Sequence, residues 1–319
     1  MRELRFDDRV AVITGAGGGL GKHYARLLAQ RGARVVVNDT GGSVTGRGSR
    51  IDAAQATADE INTVGGQAIP STHSVASAAG GQQIIDSALD AWGRVDIVIN
   101  NAGIVDNAPF DEMTDDRLRP LLDVPLAGAF NVTRPAWKAM RERGFGRIVN
   151  TCSAAGLLGS AHMSNYAAAK GAIMGLTRVL AAEGADLGIK VNAIAPIAAT
   201  RMLDYSLDSV TALSDPDTAA AAEEIMRPFL QRLDPAQVAP VAAFLAHADC
   251  PASGEIFTVG AGQVSRFFVG RTRGYFNPRL VVEDVAAHFD EIRNTTEHTV
   301  PGGPGDEMAE LFETIFAER

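Results

Sequence analysis

Residues 10–21 read VAVITGAGGGLG. The apolar run that ends at Thr14 predicts a buried strand, and the glycines after it open a segment with helical spacing. A glycine-rich turn between a strand and a helix lets backbone N–H groups and the helix N-terminus approach a pyrophosphate. We therefore predict a dinucleotide-binding strand–turn–helix unit in this part of the chain.

An acidic residue follows the second predicted strand. Asp39 lies 18 residues after Gly21, at a position where a carboxylate binds ribose hydroxyls in such units. The same carboxylate repels a 2′-phosphate, and residues 14–21 contain no Arg or Lys that would attract one. Together these features predict NAD, rather than NADP, as the cofactor.

Short apolar runs alternate with segments of helical spacing along the chain. This pattern predicts an α/β fold with a doubly wound parallel sheet of the Rossmann type and helices on both faces. Ligands of such sheets bind at the carboxyl ends of the strands. The predicted strands are residues 10–14, 34–38, 95–100, 147–151, 190–194 and 255–259. The residues that follow or end them at the ligand edge are Gly15, Asp39, Asn101, Ser153 and Pro196.

Tyr166 and Lys170 lie four residues apart in a predicted helix, and Ser153 precedes them by 13 residues. Oxidation of an alcohol by a nicotinamide needs a proton acceptor, and a free tyrosine with a pKa of about 10 is a weak one. An ammonium one helical turn away favours the phenolate. We therefore predict Tyr166 as the general base, Lys170 as the residue that lowers its pKa, and Ser153 as the hydroxyl that positions the substrate oxygen.

A Tyr and a Lys at this spacing can also be simple neighbours on a helix surface, and the pair alone favours that interpretation. The companion motifs favour hydride transfer instead. Asn100-Asn101-Ala102-Gly103 forms a small turn after the predicted strand at residues 95–100. It is interpreted as cofactor support, with an ordinary loop as the alternative.

The composition excludes several classes of function. The chain has 29 Lys and Arg against 38 Asp and Glu, with a formal charge of -9, so we expect no nucleic-acid partner. Cys152 and Cys250 lack metal-site spacing, and the first residues, MRELRFDDR, lack a signal-peptide pattern. No apolar run approaches the roughly 20 residues of a membrane span. These features predict a soluble cytoplasmic protein with no metal and no membrane contact.

The 319 residues predict a single domain with a C-terminal extension. Residues 1–263 are expected to form the NAD-binding catalytic domain, with a helical insertion at 203–232 whose position suits a substrate lid. A solvated helical insertion without a catalytic role is the alternative. Residues 264–319 are expected to pack on the core or on a partner subunit.

Several motifs together resemble the short-chain dehydrogenase/reductase family. They are TGxxxGxG at residues 14–21, NNAG at 100–103, Ser153, YxxxK at 166–170 and residues 192–196 before Thr200. The resemblance implies a homodimer or homotetramer and a bound nicotinamide cofactor. The cofactor-binding residues it implies are Gly15, Gly19, Leu20, Gly21, Asp39, Asn101, Ala102, Gly103, Tyr166, Lys170, Pro196 and Thr200.

A closer resemblance connects most of the chain with the (3R)-hydroxyacyl-CoA dehydrogenase part of type 2 peroxisomal multifunctional enzymes and with their bacterial relatives. It rests on VVND at residues 36–39 with the glycines of 41–48, on Arg201-Met202, and on GEIFTVGAG at 254–262. The resemblance is weakest at residues 203–232 and at the end of the chain. It implies NAD-dependent oxidation of a 3-hydroxyacyl thioester or a steroid alcohol.

Three positions depart from the family pattern. Pro125 stands where many members have Asn and the multifunctional branch has His, which puts the family's proton relay in question although the backbone carbonyl remains. His73 replaces an aspartate that usually meets the adenine, and Ile197 replaces a glycine. His162 and Cys152 lie near the site residues in sequence, and neither is assigned a role.

Four arginines, Arg266, Arg271, Arg273 and Arg279, are interleaved with aromatic residues and have no acid between them. They predict either a subunit interface, which the residue types favour, or a site for coenzyme A phosphates.

The leading hypothesis is an NAD-dependent 3-hydroxyacyl-CoA dehydrogenase. A hydroxysteroid or small-ketone dehydrogenase/reductase, and a non-catalytic NAD-binding scaffold, are the alternatives.

Overall fold

The computed structural model describes residues 2–48, 52–211 and 228–316. The chain divides into two compact units, Met1–Arg266 and Phe267–Arg319. Residues 212–227, the middle of the predicted lid, lie outside the described residues.

Eight strands form one sheet with the order β3-β2-β1-β4-β5-β6-β7-β8. The registered pairs from β3 to β7 are all parallel. The strand order reverses between β1 and β4, and the crevice at such a reversal is where doubly wound sheets bind ligands. The strands are β1 Val10–Thr14, β2 Arg34–Asn38, β3 Gln67–Ser71, β4 Ile97–Asn100, β5 Gly146–Thr151, β6 Ile189–Pro196, β7 Ile256–Gly260 and β8 Gln263–Phe267.

The six predicted strands are confirmed within two residues at each end. Strand β3 was not predicted, because Pro70 interrupts its apolar pattern and proline argues against a strand in the interior of a sheet. In the sheet Pro70 pairs with Val37 at the outer edge. Proline is tolerated at an edge, since its missing N–H has no further strand to bind.

Helices cover both faces of the sheet, as the continuous apolar strands predict. Ile13 of β1 packs in one core with Leu28, and its neighbour Val12 packs in the other with Met140. Helices in the described part of the first unit include α1 Gly19–Gln30, α2 Asp52–Thr63, α3 Ala78–Trp92, α4 Asp115–Leu122, α5 Gly128–Arg143, α6 Ala155–Leu158, α7 Ser164–Gly184, α8 Arg201–Thr211 and α9 Ala239–Ala246. Among the described residues, no helix is long and apolar enough to cross a membrane.

The second unit is built from short elements. They are the antiparallel strands β9 Arg271–Thr272 and β10 His298–Thr299, with the helices α10 Val282–Ala287, α11 Phe289–Ile292 and α12 Pro304–Phe316. Glu310 of α12 accepts hydrogen bonds from Arg271 at 2.8 Å and Thr299 at 3.0 Å. The Tyr275 and His288 rings stack with their centres 3.8 Å apart. None of the described residues of this unit is fully buried, so polar contacts and ring stacking contribute most of its contacts.

Candidate active site

The glycine turn after β1 is shaped by close backbone approach. Gly15 has φ +66°, and a Cβ there would lie 2.9 Å from the Cα of Ala102. A Cβ on Gly17 would lie 3.0 Å from the Cβ of Asp39, while Gly18 has open space on its Cβ side. The turn leads directly into α1, which begins at Gly19. Because side chains at these positions would fill the space, the glycines leave room for a ligand next to the backbone. The turn therefore fits a pyrophosphate at the N-terminus of α1.

The turn is anchored to the end of β4. The side-chain amide of Asn101 donates to the carbonyls of Thr14 at 2.9 Å and Gly15 at 3.1 Å. In return, the hydroxyl of Thr14 accepts the N–H groups of Asn101 and Ala102, both at 3.0 Å. In this structure the side chain of Asn101 therefore fixes the shape of the glycine turn.

Asp39 places a carboxylate beside the same turn. One oxygen accepts the N–H of Gly17 at 2.8 Å, and the other accepts the N–H of Gly41 at 2.7 Å. A carboxylate has about four acceptor positions, so both oxygens keep capacity for ribose hydroxyls. The arrangement places a negative charge beside the glycine turn.

Tyr166 and Lys170 are both buried on α7, with 8% and 3% of their surfaces exposed. The Lys170 amine lies 5.6 Å from the centre of the Tyr166 ring and donates to the carbonyl of Thr151 at 2.7 Å. Ser153 follows β5, and its hydroxyl accepts the N–H of Ala155 at 3.2 Å. The end of β5 and one face of α7 thus bring the three predicted catalytic residues into one place.

Burial controls the protonation of this group. It raises the pKa of Tyr166 to about 12, and a hydrogen bond with Ser153 acts in the opposite direction. Burial also lowers the pKa of Lys170 to about 8. Loss of solvent favours the neutral form of both groups, and the role of Lys170 in lowering the pKa of Tyr166 stays a prediction.

An apolar cluster adjoins the hydroxyl of Tyr166. Its buried members are Ile104, Val105, Leu121 and Tyr166 itself, and partly buried residues packed against it include Val44, Met163, Met202 and Tyr205. Met202 accepts a weak hydrogen bond from the Tyr166 hydroxyl at 3.8 Å. Val44 reaches the cluster because its carbonyl accepts the N–H of Val105 at 3.0 Å. In the sequence, residues 41–48 and Met202 are part of the family resemblance, but no local pattern indicates these contacts.

A polar link joins α8 to the loop after β4. The hydroxyl of Tyr205 donates to Asp106 at 3.4 Å, and Asp106 pairs with Arg117 of α4 at 3.6 Å. The side-chain amide of Asn165, which precedes Tyr166, donates to the carbonyls of Asp106 and Arg117 at 2.9 and 3.0 Å. These residues lie in four separate segments, so no local sequence signal could have grouped them.

The three positions that depart from the family pattern lie in different local settings. Pro125 is buried in a π-helical segment, Asp123–Ala127, between α4 and α5. A wider turn accommodates a residue without an N–H, and such segments are frequent at functional sites. His73 and Pro70 border an open cavity of about 520 Å³. Ile197 donates its N–H to Val259 at 2.8 Å.

The remaining predicted contacts lie at the same edge of the sheet. Pro196 ends β6, and the Thr200 methyl is 3.9 Å from the position of a Cβ on Gly19. Leu20 packs against the first core and Gly103 lies next to Lys170. Among the described residues, no group of three His, Cys, Asp or Glu side chains could hold a metal ion.

Acidic partners neutralise most of the arginine stretch. Arg266 pairs with Glu255 at 3.3 Å, Arg271 with Glu310 at 2.8 Å, and Arg273 with Glu297 at 3.1 Å. The sequence showed no acid between these arginines, and the fold supplies acids from elsewhere in the chain. Three of the four guanidinium groups therefore have acidic partners in the fold, in pairs that are partly or largely exposed.

A family model for short chain dehydrogenases matches residues 9–208. The chain therefore belongs to the short-chain dehydrogenase family.

Individual relatives confirm the closer resemblance. The chain is 38% identical to peroxisomal multifunctional enzyme A of Dictyostelium discoideum, over 98% of this chain and 66% of that protein. It is 40% identical to a putative short-chain type dehydrogenase/reductase of Mycobacterium tuberculosis, over 92% of this chain and 97% of the other. The structure of full-length peroxisomal multifunctional enzyme type 2 from Drosophila melanogaster matches with a TM-score of 0.78 at 29% identity, over 98% of this chain and 50% of that one. The chain thus spans only part of the multifunctional relatives.

Proposed function

We propose that the protein oxidises the hydroxyl group of a 3-hydroxyacyl-CoA with NAD as the hydride acceptor. The observation that carries this proposal is the buried group on α7 and β5. There the Tyr166 phenol, the Ser153 hydroxyl and the Lys170 amine lie together, at the same sheet edge as the glycine turn. The names of the relatives, multifunctional enzymes and hydratase-dehydrogenase-epimerases, support the choice of an acyl thioester.

The residues that would hold NAD are those of the glycine turn and Asp39. Backbone N–H groups at the start of α1 would bind the pyrophosphate, and Asp39 would accept the ribose hydroxyls. Asn101 would act through the turn whose shape it fixes, and Thr200 would adjoin Gly19. The bound cofactor supplies a nicotinamide ring that accepts hydride from the carbinol carbon.

In this proposal Tyr166 takes the proton of the substrate hydroxyl and Ser153 holds the oxygen as its charge changes. A tyrosine with a pKa of about 12 is almost entirely protonated at neutral pH, so a positive charge nearby is needed to form the phenolate that accepts the proton. Below about pH 8 the Lys170 amine carries a proton, and an ammonium at this distance favours the phenolate. The hydrogen bond from Lys170 to the carbonyl of Thr151 holds the amine near the Tyr166 ring.

The apolar cluster beside Tyr166 suits the first carbons of an acyl chain. Paired arginines at residues 266, 271 and 273 give no independent support for coenzyme A phosphates. A hydroxysteroid or small ketone, which needs the same chemistry, is therefore kept as the second candidate.

The remaining expectations stay predictions. They are a homodimer or homotetramer, a substrate lid that includes residues 203–232, and an extension at 264–319 that packs on the core or on a partner subunit. A cytoplasmic location is also still a prediction, and several relatives are named peroxisomal.

The test is turnover by the purified chain with NAD or NADP on 3-hydroxyacyl-CoAs, hydroxysteroids and simple secondary alcohols. We expect reduction of NAD with the acyl-CoA substrates, and a loss of about a hundredfold or more in kcat for Tyr166→Phe. Tyr275→Phe is the control, since Tyr275 lies in the second unit and stacks on His288. Turnover of steroids alone would favour the second candidate, and NAD binding without any turnover would favour a non-catalytic scaffold.

A further inference from the structure

The side chain of Met202 lies against the catalytic group from the side of α8. Its sulfur is 3.8 Å from the Tyr166 hydroxyl and accepts that hydrogen. Its methyl group lies 3.9 Å from the position of a Cβ on Gly103, and that position is 3.6 Å from the Lys170 amine. Met202 thus reaches between Tyr166 and the turn after β4, next to Lys170.

The reacting oxygen and the Met202 sulfur compete for the Tyr166 hydroxyl. The Tyr166 hydroxyl has one proton to donate, and a reacting oxygen must come within about 2.6 to 3.2 Å of it. A thioether is a weak acceptor that an alcohol or carbonyl oxygen can replace. Since methionine is unbranched and flexible, its side chain can change rotamer without a large change in the surrounding backbone.

We propose that Met202 is a displaceable plug of the substrate site: its thioether occupies the position at Tyr166 that the reacting oxygen must take, and substrate binding moves it aside. This proposal rests on the proposed function of Tyr166. In this role Met202 sets the apparent affinity for substrate, and it keeps water from the Tyr166 phenol before substrate binds.

Helix α8 carries a second contact that holds the plug in place. Tyr205 lies three residues after Met202, so the two side chains share one face of α8. Both pack against the apolar cluster, and the Tyr205 hydroxyl donates to Asp106 at 3.4 Å, which in turn pairs with Arg117 at 3.6 Å. The link from α8 to α4 through Asp106 therefore restrains the helix that presents Met202.

The first test compares Met202→Ala and Met202→Leu with the unaltered chain in steady-state kinetics. Met202→Ala removes the plug, and we expect KM for the secondary alcohol to fall roughly 2- to 10-fold, the range of one hydrogen bond's net contribution. Met202→Leu keeps the volume and loses the acceptor, so a smaller fall is expected. Met174→Leu on α7 is the matched control, since Met174 is half-buried on the same helix as Tyr166. A KM that stays constant or rises in Met202→Ala would overturn the proposal.

The second test needs no substrate, and it separates failure of this proposal from failure of the proposed function. The ultraviolet absorbance of tyrosinate follows the four tyrosines of the chain, and subtraction of the Tyr166→Phe titration isolates Tyr166. Because burial holds its pKa at about 12, Met202→Ala should lower that pKa and Met202→Leu should leave it nearly unchanged. Lys170 and Cys152, the ionisable neighbours, are kept in both variants. An unchanged pKa in Met202→Ala would overturn the role of Met202 in excluding water.

A double-mutant cycle with Tyr205→Phe tests the restraint by α8. The variant keeps the packed ring and loses the bond to Asp106, so KM should fall while Met202 is present and should not fall further in Met202→Ala. Additive effects would contradict the idea that Tyr205 acts by holding Met202. If the unaltered chain turns over every substrate class poorly, the tyrosinate titration still tests whether Met202 shields the Tyr166 hydroxyl from water.

Discussion

The amine of Lys170 lies 5.6 Å from the centre of the Tyr166 ring, one helical turn along α7, and both side chains are buried. Burial shifts the two groups in opposite directions, because it favours the neutral form of each. It lowers the pKa of Lys170 to about 8 and raises that of Tyr166 to about 12. The site therefore holds a lysine and a phenol whose charges depend on what else enters it.

The shift of Lys170 predicts a dependence of stability on pH. Unfolding returns its pKa from about 8 to the ordinary 10.5, so between these values the unfolded chain binds more protons than the folded chain. The contribution of Lys170 to the free energy of unfolding therefore rises with pH from about 8 to about 10.5, by at most about 1.4 kcal/mol per unit. Tyr166 acts in the opposite sense between about pH 10 and about pH 12.

Urea unfolding at about pH 7.5 and about pH 9.5 measures the rise. In Lys170→Met the increase between these two pH values should be smaller than in the unaltered chain. Lys22→Met, which removes the ion pair with Glu60, is the control and should keep it. An equal increase in the Lys170 variant would show that another group causes the dependence.

Asp39 is expected to set the preference for NAD over NADP. Asp39→Asn removes the negative charge and keeps one acceptor for the N–H groups of Gly17 and Gly41. We expect the ratio of kcat/KM for NAD to that for NADP to fall by about tenfold or more, since repulsion of the 2′-phosphate is lost. Asp86→Asn on α3, which removes an exposed charge and keeps an acceptor for Gln82, should leave the ratio unchanged. A ratio that does not change in Asp39→Asn would mean that other residues select the cofactor.

Asn101 is expected to act on NAD through the glycine turn. Asn101→Ala removes the bonds to the carbonyls of Thr14 and Gly15, at a cost of about 1 to 3 kcal/mol in the free energy of unfolding, and should weaken NAD binding. The matched control is Asn131→Ala, which removes a 2.9 Å bond to the carbonyl of Val75. The control should lose stability and keep its affinity for NAD. Calorimetric titration of NAD checks this, and equal affinity in both variants would refute the role of the turn.

Tyr24 is 1% exposed, and its hydroxyl has no hydrogen-bond partner among the described residues. Tyr24→Phe should therefore leave the free energy of unfolding unchanged or raise it, because no bond is lost and an unsatisfied polar group is removed. Thr177→Val provides the contrast, since the Thr177 hydroxyl donates to Ile173 at 2.8 Å and accepts from Asn150 at 3.0 Å. Urea unfolding should show a loss of about 1 to 3 kcal/mol for Thr177→Val alone. A comparable loss in Tyr24→Phe would reveal a partner for its hydroxyl.

Local sequence patterns were sufficient for most of the sheet and for the grouping of the site. The runs ending at Thr14 and Asn38 are strands with those ends, because continuous β-branched residues have few alternatives to a buried parallel strand. Strand β3 was missed because Pro70 is a strong local signal against a strand, and only its place at the sheet edge makes it acceptable.

The sequence by itself predicted the fold class, the glycine turn and the Ser153, Tyr166 and Lys170 set, since each rests on short motifs and on the alternation of apolar runs along the chain. The tertiary structure alone decided the protonation of Tyr166 and Lys170, because desolvation depends on everything that surrounds a group. It also decided that Met202 meets the Tyr166 hydroxyl and that acids neutralise Arg266, Arg271 and Arg273. Those contacts join segments far apart in the chain, and their geometry exists only after the sheet has brought the segments together.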